Sequence, residues 1–176
     1  MIVALQFITL LLNGYKADLD NDYETYHNHC QRIYYNAVLM DSTEANKEKY
    51  AIAATFHDLG IWTANTFDYL DPSIELCKQY LIANHKANWI DEITLMIDMH
   101  HKRSYYKGEY ELTVETFRKA DWIDVTKRLK KYNANKKQLK IIKKSFKNKG
   151  FHRFLAWQSV KNFFKHPLNP LPMFKK

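Results

Sequence analysis

With 176 residues, 46% of them apolar and 15% aromatic, the chain is long enough to bury a core without staples, which excludes a disordered chain and a small disulfide-framed scaffold. The two cysteines, Cys30 and Cys77, fall inside segments that read as helix, as expected of buried thiols in a reducing compartment. The formal charge of +8 hides an asymmetry: residues 1–124 carry a net −8, whereas residues 125–176 carry 16 basic side chains and no acidic one, which invites a phosphate-bearing partner.

The opening run MIVALQFITLLLN has no basic flank and no cleavage site, and it is too short to span a bilayer. It reads as an amphipathic or buried first helix stopped by Gly14, with a cleaved signal as the alternative, and the lack of export or membrane signals points to the cytoplasm. Asp22 is placed to cap a second helix over about Tyr23 to Met40. On that helix His29, Ile33, Ala37 and Met40 share an apolar face, with Arg32 nearby. His27 lies about 200° of rotation from His29, so only one of the two faces inward, and the apolar stripe selects His29.

Asp41, Ser42 and Glu44 form a turn with capping potential, and the next helix carries Tyr50 through Leu59 to Gly60, which is expected as its C′ residue. This stretch, AIAATFHDLG, ends in His57 and Asp58 side by side. A carboxylate buried without a partner costs several kcal/mol, and a divalent cation is one of the few partners that satisfies both side chains. Ile61 to Leu70 is an aromatic loop suited to wall a pocket, in which Trp62, Thr66, Phe67 and Tyr69 are candidates.

Asp71 and Pro72 start a helix whose inner face, Ile74, Cys77 and Leu81, continues to His85. Ile90, Ile93 and Ile97 define another stripe that meets His100 or His101, followed by Lys102 and Arg103. A helix from Thr113 places Phe117 and Asp121 inward, with Ala120 and Asp124 beside them. Lys127 to Lys149 holds eleven Lys or Arg at a spacing that suits a helix with a solvated lysine face. After Gly150 an aromatic helix spans Phe151 to Phe164, and HPLNPLPMFKK is expected to be extended. No segment alternates as a strand does, so the predicted fold class is all-α.

The inward polar residues are thus His29, His57, Asp58, His85, His100 or His101, and Asp121. Nitrogen and oxygen donors without thiolates suit divalent iron, manganese, zinc, cobalt, nickel or magnesium in an open site, and helical bundles build such sites from facing helices. H-x-x-R at His29 and Arg32, the doublet His57-Asp58, and Asp121 within KADWID together resemble the HD-domain superfamily of metal-dependent phosphohydrolases. The likeness covers about residues 20–128, within one domain over 1–176, and leaves 129–176 as a basic helical extension of the HD bundle. The HDLGIWTANTFDYLDPS stretch and the proline-rich tail are also similar to a bacterial HD family.

The resemblance implies that His29, His57, Asp58 and Asp121 hold a first divalent metal. A second would be shared through Asp58 and held by His85 and His100 or His101, as in two-metal relatives such as the HD-GYP phosphodiesterases, although the GYP signature is missing here. It further implies hydrolysis of a phosphomonoester or phosphodiester, a nucleotide for example. In that reading Asp58 is catalytic, and Lys102, Arg103, Arg118 or Lys119 hold the remaining charge of a phosphorylated small-molecule substrate. Arg32 reads as a phosphate contact or as the partner of an acidic neighbour, and Asp124 as a supporting group or a helix salt bridge. Two other readings stand beside it: a diiron oxygenase of the same superfamily, and a non-catalytic HD module that binds nucleic acid or a protein through the basic run. No membrane partner is expected.

Overall fold

The structure, a computed structural model, is described for residues 2–127, 129–169 and 171–174. Arg128 of the basic run, and Pro170, Lys175 and Lys176 of the tail, lie outside the described residues. The fold is all-α, with no strand among the described residues. In chain order the helices are α1 Ile2–Asn13, α2 Lys16–Leu19, α3 Tyr23–Met40, α4 Glu44–Phe56, α5 Gly60–Thr63, α6 Leu70–Ala83, α7 Ile90–Met99, α8 Glu111–Val125, α9 Lys136–Ser145 and α10 Phe151–Lys165. None of the described helices is long and apolar enough to cross a membrane.

The centre of the bundle is α4. Every residue from Tyr50 to Gly60 is buried, and Ala51, Ala53 and Ala54 let neighbouring helices approach closely. Around it, α3 packs on both α4 and α8, while α7 packs on α4, α6 and α8. The core reaches beyond the 20–128 span, since Ile8 and Leu12 of α1 and Phe151 of α10 belong to it. Cys30 and Cys77 are buried free thiols.

Several local expectations are corrected. Asp22 makes no capping hydrogen bond to α3; its Oδ2 instead accepts from Trp62 Nε1 at 3.0 Å. Gly60 is not a left-handed C′ residue but the first residue of α5. Its need for glycine is one of space, because a Cβ there would lie 2.5 Å from the Tyr69 carbonyl and 2.9 Å from Ser73 Oγ. The tail is not wholly extended: Pro172–Phe174 forms a 3₁₀ turn that buries Met173 against Ile61 and Tyr69. Prolines block the α-helix, whereas a single 3₁₀ turn asks for fewer backbone donors. Among the described residues of the basic run only the α9 segment is helical, and Leu139 is its buried residue.

The turn between α3 and α4 is held by Asp41. Its carboxylate accepts from Asn46 Nδ2 at 2.8 Å, Tyr50 Oη at 2.7 Å and the Thr43 amide at 3.1 Å. Burial pushes this carboxyl up, but the hydrogen bonds from Thr43, Tyr50 and Asn46 outweigh it and bring the pKa down to about 2 from the ordinary 3.8. A depressed folded-state pKa contributes stability that is present above the unfolded value and is lost as pH falls through the folded one. Asp41 therefore adds stability at neutral pH that disappears between roughly pH 4 and pH 2. Urea unfolding of Asp41→Asn at pH 6 and pH 2.5 checks this: the variant loses less stability on acidification than the parent.

Candidate metal centre

Two helices, α3 and α8, and the turns that end α4 and α7 bring the donors together. The α4 hydrogen bonding ends in tight turns, with Leu59 N donating to Phe56 O and Ile61 N to Asp58 O, so His57 and Asp58 project from the α4–α5 corner. Tyr26 of α3 fixes that corner: its hydroxyl donates to Thr55 O at 2.9 Å and accepts from the Asp58 amide at 3.2 Å. α3 supplies His29, the end of α7 supplies His100 and His101, and α8 supplies Asp121 and Asp124. His29, His57 and His100 are wholly buried, and Asp58 is 3% exposed.

The outer hydrogen bonds decide which ring nitrogen carries a proton. His57 Nδ1 lies 2.9 Å from Ala54 O, and His100 Nδ1 lies 2.5 Å from Ile97 O. A carbonyl only accepts, so both Nδ1 atoms donate. His29 Nδ1 donates to Asp124 Oδ2 at 2.8 Å. Asp124 is a carboxylate there: burial pushes its pKa up, but His29 and Arg32 hold it far below the usual range. In the neutral rings, all three Nε2 lone pairs then point inward.

What they meet is another set of acceptors. His29 Nε2 and His57 Nε2 are 3.1 Å apart. Asp58 Oδ2 lies 3.2 Å from His57 Nε2 and 3.7 Å from His29 Nε2, and Asp58 Oδ1 lies 3.4 Å from His100 Nε2. Asp121 Oδ1 is 3.8 Å from His29 Nε2. Asp58 Oδ1 and His100 Nε2 are buried without a hydrogen-bond partner. Converging lone pairs and carboxylates repel one another unless a cation sits among them. A proton bridges two such atoms, whereas a divalent ion satisfies three or more, so this donor set fits a metal.

The field draws positive charge into the cluster, whether a proton or a metal ion. Burial pushes the Asp58 carboxyl up, but His57, His100 and His29 outweigh it and hold it well below the ordinary carboxylate range. Burial lowers His29 and His100, yet Asp124 and Asp58 raise the first on balance, and Asp58 and Asp121 raise the second. Asp121 is raised, chiefly by burial. His101 is driven well down by burial and then by the neighbouring His100, so it stays neutral.

Asp58 is common to two overlapping groups able to hold an ion, His29 with His57 and Asp58, and Asp58 with His100 and His101. His100 is the deeper of the pair; His101 is half-buried, and its Nε2 lies 2.6 Å from Tyr69 Oη. His85 is not brought in. α6 stops at Ala83, and His85 is exposed with φ 58 in the left-handed region that closes the helix, so the stripe ends before reaching it.

Lys102 and Arg103 also stand apart. Lys102 turns back onto Met99 O, its own carbonyl accepts from Arg118 Nη1 and Trp122 Nε1, Arg103 is exposed, and neither side chain contacts the cluster among the described residues. Arg118 and Lys119 are both engaged by Glu115. Arg32 is an ion-pair partner, donating through Nε and Nη2 to Asp124 at 2.6 and 2.8 Å. Phe151, stacked on His29 with centroids 3.8 Å apart, had no sequence signal, since α10 and α3 are remote in the chain.

Beside the cluster, a cavity of about 220 Å³ is lined by His101 and Asp121 together with Phe67, Tyr69, Trp122 and Met173. No lysine or arginine lines it among the described residues. Trp62 and Thr66, the other expected wall residues, do not line it. Comparisons with protein-family models, curated proteins and solved structures gave no match to the chain.

Proposed function

We infer that the chain is a divalent-metal-dependent phosphohydrolase of the HD type, acting on a phosphomonoester or phosphodiester. The observation that carries the reading is the set of three imidazoles whose Nδ1 atoms are tied down and whose Nε2 lone pairs converge on Asp58. His29, His57, Asp58 and Asp121 would hold the ion, with His100 and His101 on the far side of Asp58. A divalent cation bound there supplies the Lewis acidity that polarises a phosphoryl oxygen and makes hydroxide available near neutral pH.

The chain's own residues do the rest. Asp124, Ala54 O and Ile97 O fix three imidazole tautomers, and so aim Nε2 without any rearrangement on binding. Phe67, Tyr69, Trp122 and Met173 exclude water and accept an apolar or aromatic portion of the substrate. Because no cation lines this cavity among the described residues, the charge of the phosphoryl group falls to the metal site. Lys102 and Arg103 would contribute only long-range steering.

The protein loaded with Mn²⁺ or Zn²⁺ should release phosphate, or open a diester, on some member of a broad panel, and His57→Ala should abolish it. Absence of turnover with every metal across the panel would overturn the assignment. The sharing of Asp58 between two donor groups supports a second reading, a diiron oxygenase. Substrate-dependent oxygen consumption with no phosphate released would select it. Binding of nucleic acid or protein that is indifferent to His57→Ala, without turnover, would select a non-catalytic module.

A further inference from the structure

A second cavity, of about 490 Å³, opens between α3, α8, α9 and α10. Asp124 and Arg32 form part of its wall, but His29, His57, Asp58 and Asp121 do not line it. Its volume lies within the ~300–1,000 Å³ usual for small-molecule sites. Ile123, Leu139 and Ile142 make an apolar floor, and Leu139 is the residue that anchors α9 to the bundle.

The rim is cationic. Lys127 follows α8, Lys143 belongs to α9 and Arg153 to α10, and all three are exposed. Arg32 is neutralised by Asp124, and Lys149 by Glu24. No such partner serves Lys127, Lys143 or Arg153 among the described residues. The carboxylate in the wall, Asp124, is already committed to Arg32 and His29, and residues 125–176 contain no acidic side chain to add another. The geometry inside is firm: His152 Nε2 donates to Asp124 O at 3.0 Å, and its Nδ1 accepts from Asn148 Nδ2 at 2.6 Å.

We propose that this cavity binds a small phosphorylated ligand with an apolar or aromatic body, such as a nucleoside triphosphate, at a site separate from the metal centre. The three cations come from three different elements and close around a bowl with an apolar floor. A nucleic-acid backbone needs cations strung along an open track, so a compact polyanion fits this arrangement better. The apolar floor receives the body while the rim receives the phosphates.

Isothermal titration of the intact chain with ATP, inorganic tripolyphosphate, adenosine and a single-stranded oligonucleotide tests the proposal. Lys143→Glu with Arg153→Glu, both at exposed positions, should weaken ATP binding by about tenfold or more while leaving the helical circular dichroism unchanged. Tripolyphosphate and adenosine should each bind more weakly than ATP. His57→Ala, or Asp58→Asn if the former does not fold, should bind ATP as the parent does, which separates this site from the metal centre. The proposal is overturned if the parent binds no ATP, if charge reversal leaves the affinity unchanged, if the His57 or Asp58 variant loses binding, or if only the oligonucleotide binds.

Discussion

Asp58→Ala should abolish the thermal stabilisation that a divalent cation confers on the intact chain. Asp58 is the residue common to both donor groups, with its two oxygens directed at different imidazoles, Oδ2 at His57 and Oδ1 at His100. Its removal takes away the negative charge that draws a cation into a buried pocket and leaves lone pairs converging with nothing to hold them. A ligand that binds only the folded state at 100 times its Kd stabilises it by about 2.7 kcal/mol. For a chain of this size that is a rise in Tm of roughly 5–10 °C. Differential scanning fluorimetry with Zn²⁺ or Mn²⁺ should show the rise for the parent and none for Asp58→Ala. An equal rise in both would place the ion elsewhere.

The second large effect is expected from a residue that would not touch the ion. Asp124→Asn keeps the size of the side chain but removes the charge shared by His29 Nδ1, Arg32 Nε and Arg32 Nη2. Arg32 is 3% exposed, so its charge is left buried beside a neutral amide, which costs about 3–5 kcal/mol. His29 also loses the charged acceptor that holds Nδ1 protonated, and weakening such a supporting partner lowers metal affinity by roughly 10- to 100-fold. Chemical denaturation and metal titration of the same variant should show both losses. The stability held by Asp124 is present above the ordinary carboxylate range and is lost as pH falls towards its depressed folded-state pKa, so the parent converges on the variant in acid.

What was legible in the sequence followed from helical faces. The rotation between His27 and His29 correctly sends His29 inward, while His27 stays half-buried beside Thr9. The pairs Phe117 with Asp121 and Ala120 with Asp124 are all buried on α8, as their spacing requires. The same reasoning failed where a face was extended past its helix. His85 continues the stripe of Cys77 and Leu81 only on paper, because α6 has already ended.

Adjacency along the chain does not by itself bring Lys102 and Arg103 to His100: the Lys102 amide turns back onto Met99 O, and Arg103 is exposed. Asp22 has the chemistry of a cap, but Trp62 competes for it from the α4–α5 corner, a contact with no local pattern. The packing of Phe151 on His29 and the burial of Met173 are likewise long-range facts, fixed by how α10 and the tail fold back. Asp124 was visible as a carboxylate on the right face; that it sets the tautomer of His29 emerges only from the distance between them.

The central claim, that the converging Nε2 lone pairs and Asp58 hold a divalent metal, is tested most directly by X-ray absorption at the metal edge of the purified chain, with elemental analysis of the same sample. The account predicts a stoichiometric divalent metal in nitrogen and oxygen coordination, with imidazole scattering from at least two histidines and no sulfur. A chain that takes up no divalent ion on dialysis, or a bound ion without imidazole ligands, would contradict it.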